Sequence, residues 1–282
     1  MRHLLVVALG SYLTIASLAV WANTAIQRGE YLANLGGCHS CHSEQGMPKM
    51  AGGVVLATEF GTFYPPNITP DPEHGIGNWN QHQFNTAMRH GLNPDGEPYY
   101  PSFPYTSYTR MTDADLADLK VYLESLPPVA HSAPKHDLKF PFNIRLGLYL
   151  WQWFNFAPEP FIEENKQTAV WNRGAYIVTG PGHCGECHTP RTITLAMDAD
   201  HHLQGNPNGP EGENVPSINM ALRGDAWLMD DIIFALQIGM TPEGDFFGGS
   251  MAAVVDNTSL LSATDIEAIA TYLANPDGTT DL

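Results

Sequence analysis

Cys38-His39-Ser40-Cys41-His42 and Cys184-Gly185-Glu186-Cys187-His188 hold all four cysteines of a 282-residue chain. The two pentapeptides sit in matching surroundings. Arg28-Gly29-Glu30-Tyr31 precedes the first, and Arg173-Gly174-Ala175-Tyr176 precedes the second. Downstream, Trp79 begins a segment ending Ala87-Met88-Arg89-His90-Gly91, then Pro94-Asp95-Gly96-Glu97. Its counterpart runs from Trp227 to Ala235-Leu236-Gln237-Ile238-Gly239, then Pro242-Glu243-Gly244-Asp245. Thr112-Asp113-Ala114-Asp115-Leu116 up to Tyr122-Leu123 answers Ser262-Ala263-Thr264-Asp265-Ile266 up to Tyr272-Leu273. Anchors recurring in one order at a nearly constant offset are an internal duplication.

The periodicity within each copy is helical. Leu116, Leu119, Leu123 and Leu126 fall at three- and four-residue spacing behind Thr112 as N-cap. Ile266, Ile269, Tyr272 and Leu273 do the same, with Ser262 or Thr264 as the cap. Shorter helices around Tyr31-Leu32-Leu35 and Tyr176-Ile177 run into the cysteine pairs. Gly/Pro/Asn-rich loops such as Pro65-Pro66-Asn67-Ile68-Thr69-Pro70-Asp71-Pro72 lie between the anchors. Each copy is mostly short helix and loop, with little core of its own, and gains from burying a large apolar cofactor. With 13 Lys and Arg against 30 Asp and Glu, the net charge is −17, which argues against nucleic acid or an anionic lipid surface as the main partner.

C-x-x-C-H is the attachment signature of c-type haem. Two thiols three residues apart on one helical turn reach both vinyl groups of a porphyrin, and the adjacent imidazole meets the iron from the same side. The sequence therefore predicts two covalent haems, on Cys38 and Cys41 with His42, and on Cys184 and Cys187 with His188. A zinc site built from the two pairs would leave both histidines unexplained and would have to join separate repeats. A thioredoxin-like pair expects a strand–helix context and no duplication. For the sixth ligands, methionine raises the potential and histidine is the usual substitute. Met251, in the loop before the last helix, is the expected ligand of the second iron, with Met220, Met229 and Met240 as rivals. Aligning Gly96 with Gly244 puts Phe103 opposite Met251, and phenylalanine cannot ligate. Met111 is then the expected ligand of the first iron, with His90 as alternative and a packing role at the helix start as the competing explanation of Met111.

The pentapeptides, together with Pro66-Asn67-Ile68-Thr69-Pro70-Asp71-Pro72-Glu73-His74-Gly75-Ile76-Gly77-Asn78-Trp79 and Arg89-His90-Gly91, resemble the cytochrome c subunits of membrane-associated dehydrogenases. Tyr100-Pro101-Ser102-Phe103-Pro104-Tyr105 and Trp171-Asn172-Arg173-Gly174 extend the resemblance over nearly the whole chain after its leader. It implies an all-α fold of two tandem class I cytochrome c-like domains. It implies electron transfer from an alcohol, aldehyde or sugar dehydrogenase partner to the respiratory chain. It also implies that Trp79 and Asn67 line the first haem near its propionates, although plain core packing is an equal reading of Trp79. Many relatives carry three haems; this chain has motifs for two.

Arg2 and His3 followed by an apolar run from Leu4 to Val20 read as a secretion signal over residues 1–22, with Ala22 as the last residue removed and an uncleaved anchor as the alternative. The expected division is domain 1 over 23–130, a linker over 131–170 and domain 2 over 171–282. The linker contains Leu146-Gly147-Leu148-Tyr149-Leu150-Trp151-Gln152-Trp153-Phe154-Asn155-Phe156, read as one helix between Pro141 and Pro158. It either packs between the two domains or forms a docking surface. The whole predicts a periplasmic dihaem cytochrome c. Its donor is a dehydrogenase catalytic subunit and its acceptor a respiratory oxidase or quinone-linked complex, and peripheral membrane association is compatible with this reading. The competing class is a dihaem peroxidase-like enzyme with an open first haem.

Overall fold

A computed structural model describes residues 24–209, 212–224 and 227–278. The secretion-signal reading falls on residues 1–22 and lies outside the described residues. The first half of the chain runs through α1 (residues 24–35), α2 (Cys38–His42), β1 (Leu56–Thr58), β2 (Gly61–Phe63), α3 (Gln81–His90), α4 (Tyr105–Tyr108) and α5 (Asp113–Ser125). A connection carries β3 (Asp137–Leu138) and α6 (Leu146–Asn155). The second half runs through α7 (Ala169–Thr179), α8 (Gly185–His188), a 3-10 turn over Ala199–His201, α9 (Met229–Ile238), α10 (Gly249–Thr258) and α11 (Ala263–Ala274). Among the described residues no helix is long and apolar enough to cross a membrane.

The caps follow the sequence. Thr112 Oγ1 accepts from Asp115 N at 3.1 Å to open α5, and Ser262, rather than Thr264, accepts from Asp265 N at 3.2 Å to open α11. Both α3 and α9 end at a left-handed glycine, Gly91 (φ 61°) and Gly239 (φ 76°). The first and last helices of each half cross closely at a glycine. A Cβ on Gly29 would lie 2.5 Å from Tyr122 Cβ, and one on Gly174 2.8 Å from Tyr272 Cβ. Arg28 beside the first glycine pairs with Asp118, and Arg173 beside the second pairs with Asp265.

The two halves share one continuous apolar core. It runs from Leu32, Tyr108, Leu116 and Tyr122 to Tyr176, Ile177, Ile266 and Tyr272. Their contact is reciprocal. Tyr31 OH donates to Asp265 Oδ2 at 2.6 Å and accepts from Ser262 N at 3.2 Å. Tyr176 OH donates to Asp115 and accepts from Thr112 N at 3.2 Å. Each half thus inserts the tyrosine of its first helix at the N-terminus of the other half's last helix, as in a two-fold interface between identical subunits.

Two expectations need correction. The fold is helix-rich, but the all-α expectation missed a small antiparallel sheet of order β1-β2-β3. Leu56 pairs with Phe63, Thr58 with Gly61, and Gly61 with Leu138. Strands of two or three residues are too short to display two-residue alternation in the sequence. The second correction concerns the reading of α6 as a helix packed between the halves. Leu148 packs inward with Phe63 and Tyr100, Trp151 Nε1 donates to Thr194 O at 2.7 Å, and Gln152 Nε2 donates to Gly91 O at 3.3 Å. The helix therefore straps the two halves from outside. Leu146, Tyr149, Leu150, Trp153 and Phe154, at three- and four-residue spacing, all face solvent.

Candidate functional site

Each pentapeptide folds as a short helical turn of its own, two residues after α1 in the first half and four residues after α7 in the second. The first is α2 entire. In the second, Cys184 stands at the start of α8 and His188 ends it. Each pair of thiols is therefore one turn apart on a rigid element. All four cysteines are free. Burial pushes Cys38 and Cys184, which pack against the apolar core, up to about 12 and raises Cys41 and Cys187 as well, so before attachment all four thiols are neutral.

The histidines are prepared in the same way. His42 Nδ1 lies 2.7 Å from Pro66 O, and His188 Nδ1 lies 2.8 Å from Pro216 O. A carbonyl can only accept, so Nδ1 carries the proton and Nε2 keeps its lone pair for a metal. Burial lowers both pKa values and keeps both rings neutral. The loops that deliver the two prolines have one geometry. Gly52 N donates to His42 O and Gly205 N to His188 O, both at 2.8 Å. Ile68 N donates to Met50 O at 2.9 Å and Ile218 N to Leu203 O at 3.0 Å. Met50 and Leu203 are fully buried and left-handed, with φ of 62° and 60°. Sequence reasoning missed all four supporting residues, Met50, Pro66, Leu203 and Pro216. The unequal loop lengths hid their correspondence.

Each half thus presents two half-buried thiols and a neutral imidazole whose tautomer is fixed for coordination. That donor set fits one covalently attached haem. Among the described residues no group of three or more His, Cys, Asp or Glu could hold a metal ion, so the two C-x-x-C pairs do not join in a zinc cluster.

Met251 lies in the first turn of α10, half-buried, and not in the loop the sequence suggested. Tyr99 N donates to Gly91 O and Phe247 N to Gly239 O, an offset of 148 between halves. Thr109 N donates to Tyr105 O and Ser259 N to Val255 O, an offset of 150. The second half therefore gains two residues in the segment that contains Phe103 and Met251. At the offset of 150, Met111 corresponds to Leu261. Each directly precedes an N-cap and packs in the core with the fourth residue of its helix, Leu116 or Ile266. Burial of Met111 is thus explained by a packing role that leucine performs in the other half.

Asn67 is buried, and its hydrogen-bonding capacity is spent within the chain. Its Nδ2 donates to Val129 O at 2.7 Å and His131 O at 2.9 Å, and its Oδ1 accepts from Thr69 N and Thr69 Oγ1. Asn67 therefore ties two loops together. Trp79 is half-buried against the core. His90 is exposed at the end of α3, Met220 is buried with its N–H on Leu273 O, Met229 packs at the start of α9, and Met240 pairs with Phe246 in a short bridge.

This fold and site define a c-type cytochrome. The cytochrome c family profile matches residues 26–127. The chain is 46% identical over 252 residues to the diheme cytochrome c-type protein of Cereibacter sphaeroides, covering 87% of this chain and 84% of that one. It is 39% identical over 290 residues to the gluconate 2-dehydrogenase cytochrome c subunit of Pantoea cypripedii, covering 97% of this chain and 64% of the relative. It is 36% identical over 256 residues to the fructose dehydrogenase cytochrome subunit of Gluconobacter japonicus, covering 88% of this chain and 52% of the relative. The chain belongs to the dihaem c-type cytochromes, and its prosthetic group is covalently bound haem c.

Proposed function

We propose that the chain is a periplasmic electron carrier of two tandem class I cytochrome c-like domains with α6 as the helical linker. It takes single electrons from the catalytic subunit of a dehydrogenase and delivers them to a respiratory oxidase or quinone-linked complex. Cys38, Cys41, Cys184 and Cys187 hold two haems. His42 and His188 are the proximal ligands, Met251 and Met111 the distal thioethers, and Trp79 lines the first haem. Each haem supplies an iron that gains one electron and passes it on, with no atom transferred. The protein fixes orientation and potential and excludes water. The observation that carries this reading is the duplicated pair of Nδ1–carbonyl bonds beside paired, half-buried thiols.

The outer face of α6 is proposed as the docking surface for the dehydrogenase subunit. Trp153 is 75% exposed and Phe154 71%, and no Asp or Glu occurs from residue 138 to 158 in a chain of net charge −17. Contiguous exposed aromatics mark interaction sites, and Trp and Tyr lead among interface hot spots. The relatives that are subunits of gluconate and fructose dehydrogenases support a partner of that class.

The test is reduction of the purified ferric cytochrome by the catalytic subunit of a gluconate or fructose dehydrogenase, on addition of that enzyme's substrate. Substrate-dependent growth of the ferrous α-band at both haems is the expected result. Peroxide turnover with a high-spin ferric signal, and no reduction by any such partner, would replace the carrier with a peroxidase.

A further inference from the structure

The two attachment pentapeptides do not stand apart in their own halves; each is bonded to the other half. Ser40 and Glu186 occupy the same position, third, in Cys38–His42 and Cys184–His188. Ser40 Oγ accepts from Asn257 Nδ2 at 3.2 Å, and Glu186 Oε1 accepts from Ser107 Oγ at 3.1 Å. Ser107 and Asn257 are themselves equivalent, each two residues before the matched pair Thr109 and Ser259. The contact is thus made twice, around the same pseudo-two-fold axis as the Tyr31 and Tyr176 contacts. Thr106 Oγ1 adds a second donor to Glu186 at 2.5 Å, and Arg191 fixes the far side of its carboxylate at 2.8 Å.

At the seam, Gly36 O, two residues before Cys38, accepts from Tyr108 OH at 3.3 Å and lies 3.2 Å from His183 Nε2, one residue before Cys184. The Tyr108 and His183 rings meet edge to face, 5.6 Å apart. The parts of the two halves brought together are therefore the cysteine-bearing turns.

We infer that Ser40 and Glu186 are positioning residues for the passage of electrons between the two haems. Their reciprocal bonds hold the attachment turns against each other and would thereby fix how the two haems sit relative to one another. The haems would supply the exchange of one electron between a ferrous and a ferric iron, with no proton or atom moved. The inference rests on the two-haem reading of the site. It assigns a role to the variable residues of C-x-x-C-H, which attachment chemistry leaves free. The carboxylate of Glu186 is the stronger of the two clamps, because a charged acceptor with several donors outweighs one neutral bond.

The experiment compares the unmutated holoprotein with Glu186→Ala, Glu186→Gln and the Ser40→Ala/Glu186→Ala pair. Three readouts are taken: the exciton couplet in Soret circular dichroism, the rate of electron equilibration between haems after partial flash reduction, and the absorption spectrum of each haem. The paired variant should lose most of the couplet and equilibrate several-fold more slowly, with both absorption spectra intact. Glu186→Gln still accepts from Thr106 and Ser107 and should keep both signals. Asn257→Ala and the Thr106→Ala/Ser107→Ala pair remove the same bonds from outside the attachment turns and carry the test if Glu186→Ala does not mature. A haem assay on each sample separates the two levels of failure. One haem per chain would sink the two-haem reading. Two haems with no couplet in the unmutated protein, or an unchanged couplet and rate in the paired variant, would overturn the positioning role alone.

Discussion

Gly174→Ala sets two physical effects of opposite sign against each other. Inside a helix, alanine is favoured over glycine by about 1 kcal/mol, so on propensity alone the substitution stabilises α7. The structure predicts the reverse. A Cβ on Gly174 would lie 1.9 Å from the carbonyl oxygen and 2.6 Å from the carbonyl carbon of Ala268, and 2.8 Å from Tyr272 Cβ, both residues on α11. Carbon atoms rest at about 3.5–4.0 Å, so the two helices must part by about 1 Å. Neither obstacle can rotate away, since one is backbone and the other is a Cβ. Overpacking of this kind costs about 1–3 kcal/mol, leaving a net loss of up to about 2 kcal/mol after the propensity gain. Gly147 in α6 is the control, because nothing lies within 4 Å of its added Cβ. Gly147→Ala should gain about 1 kcal/mol. Urea unfolding of the holoproteins, followed by far-ultraviolet circular dichroism, should move the two midpoints in opposite directions. A Gly174→Ala midpoint at or above that of the unmutated protein would refute the close crossing of α7 and α11.

The axial ligands are separated by Met111→Leu, which keeps the packing of Met111 on Leu116 and removes the sulfur: with thioether ligation it abolishes part of the near-infrared His/Met band and lowers one potential, whereas an unchanged band leaves Met111 a packing residue only. Met251→Ala should remove the band and lower the potential of the other haem. Burial raises the Asp265 carboxyl, but hydrogen bonds from Arg173 and Tyr31, with the Arg173 charge, hold it below the usual range. Its contribution is therefore complete above the unfolded value of about 3.9 and disappears as pH falls through the lower folded value. Acid titration of Asp265→Asn should lack that limb, and an unchanged acid profile would contradict the linkage. Trp153→Ala and Phe154→Ala should slow reduction by the dehydrogenase without altering haem spectra or the unfolding midpoint, because both side chains are exposed. Normal reduction kinetics would remove α6 from the docking surface.

The duplication, the helix caps and the four cysteines with their histidines were legible because each is written in local sequence. Thr112 and Ser262 announce helix starts, and C-x-x-C-H needs only five adjacent residues. What the sequence concealed depends on contacts far along the chain. Pro66 and Pro216 act through a backbone carbonyl, which carries no side-chain signature. The left-handed backbone at Met50 and Leu203 falls on residue types that rarely adopt it. The bonds from Asn67 to the carbonyls of Val129 and His131 join residues more than sixty positions apart. The alignment of Phe103 with Met251 ran across a two-residue change of offset that only the paired hydrogen bonds of the two halves reveal. The reciprocal seam was equally hidden, since Ser40 and Glu186 share a motif position but not a residue type.

The central claim, that both pentapeptides carry haem, is tested most directly by the haem-to-chain ratio. The pyridine haemochrome of the mature protein, quantified against amino-acid analysis and paired with thiol titration under denaturing conditions, should give two haems and no free thiol per chain. Cys184→Ala/Cys187→Ala should give one haem and still no free thiol. A ratio of one in the unmutated, fully matured protein, with two titratable thiols, would contradict the account.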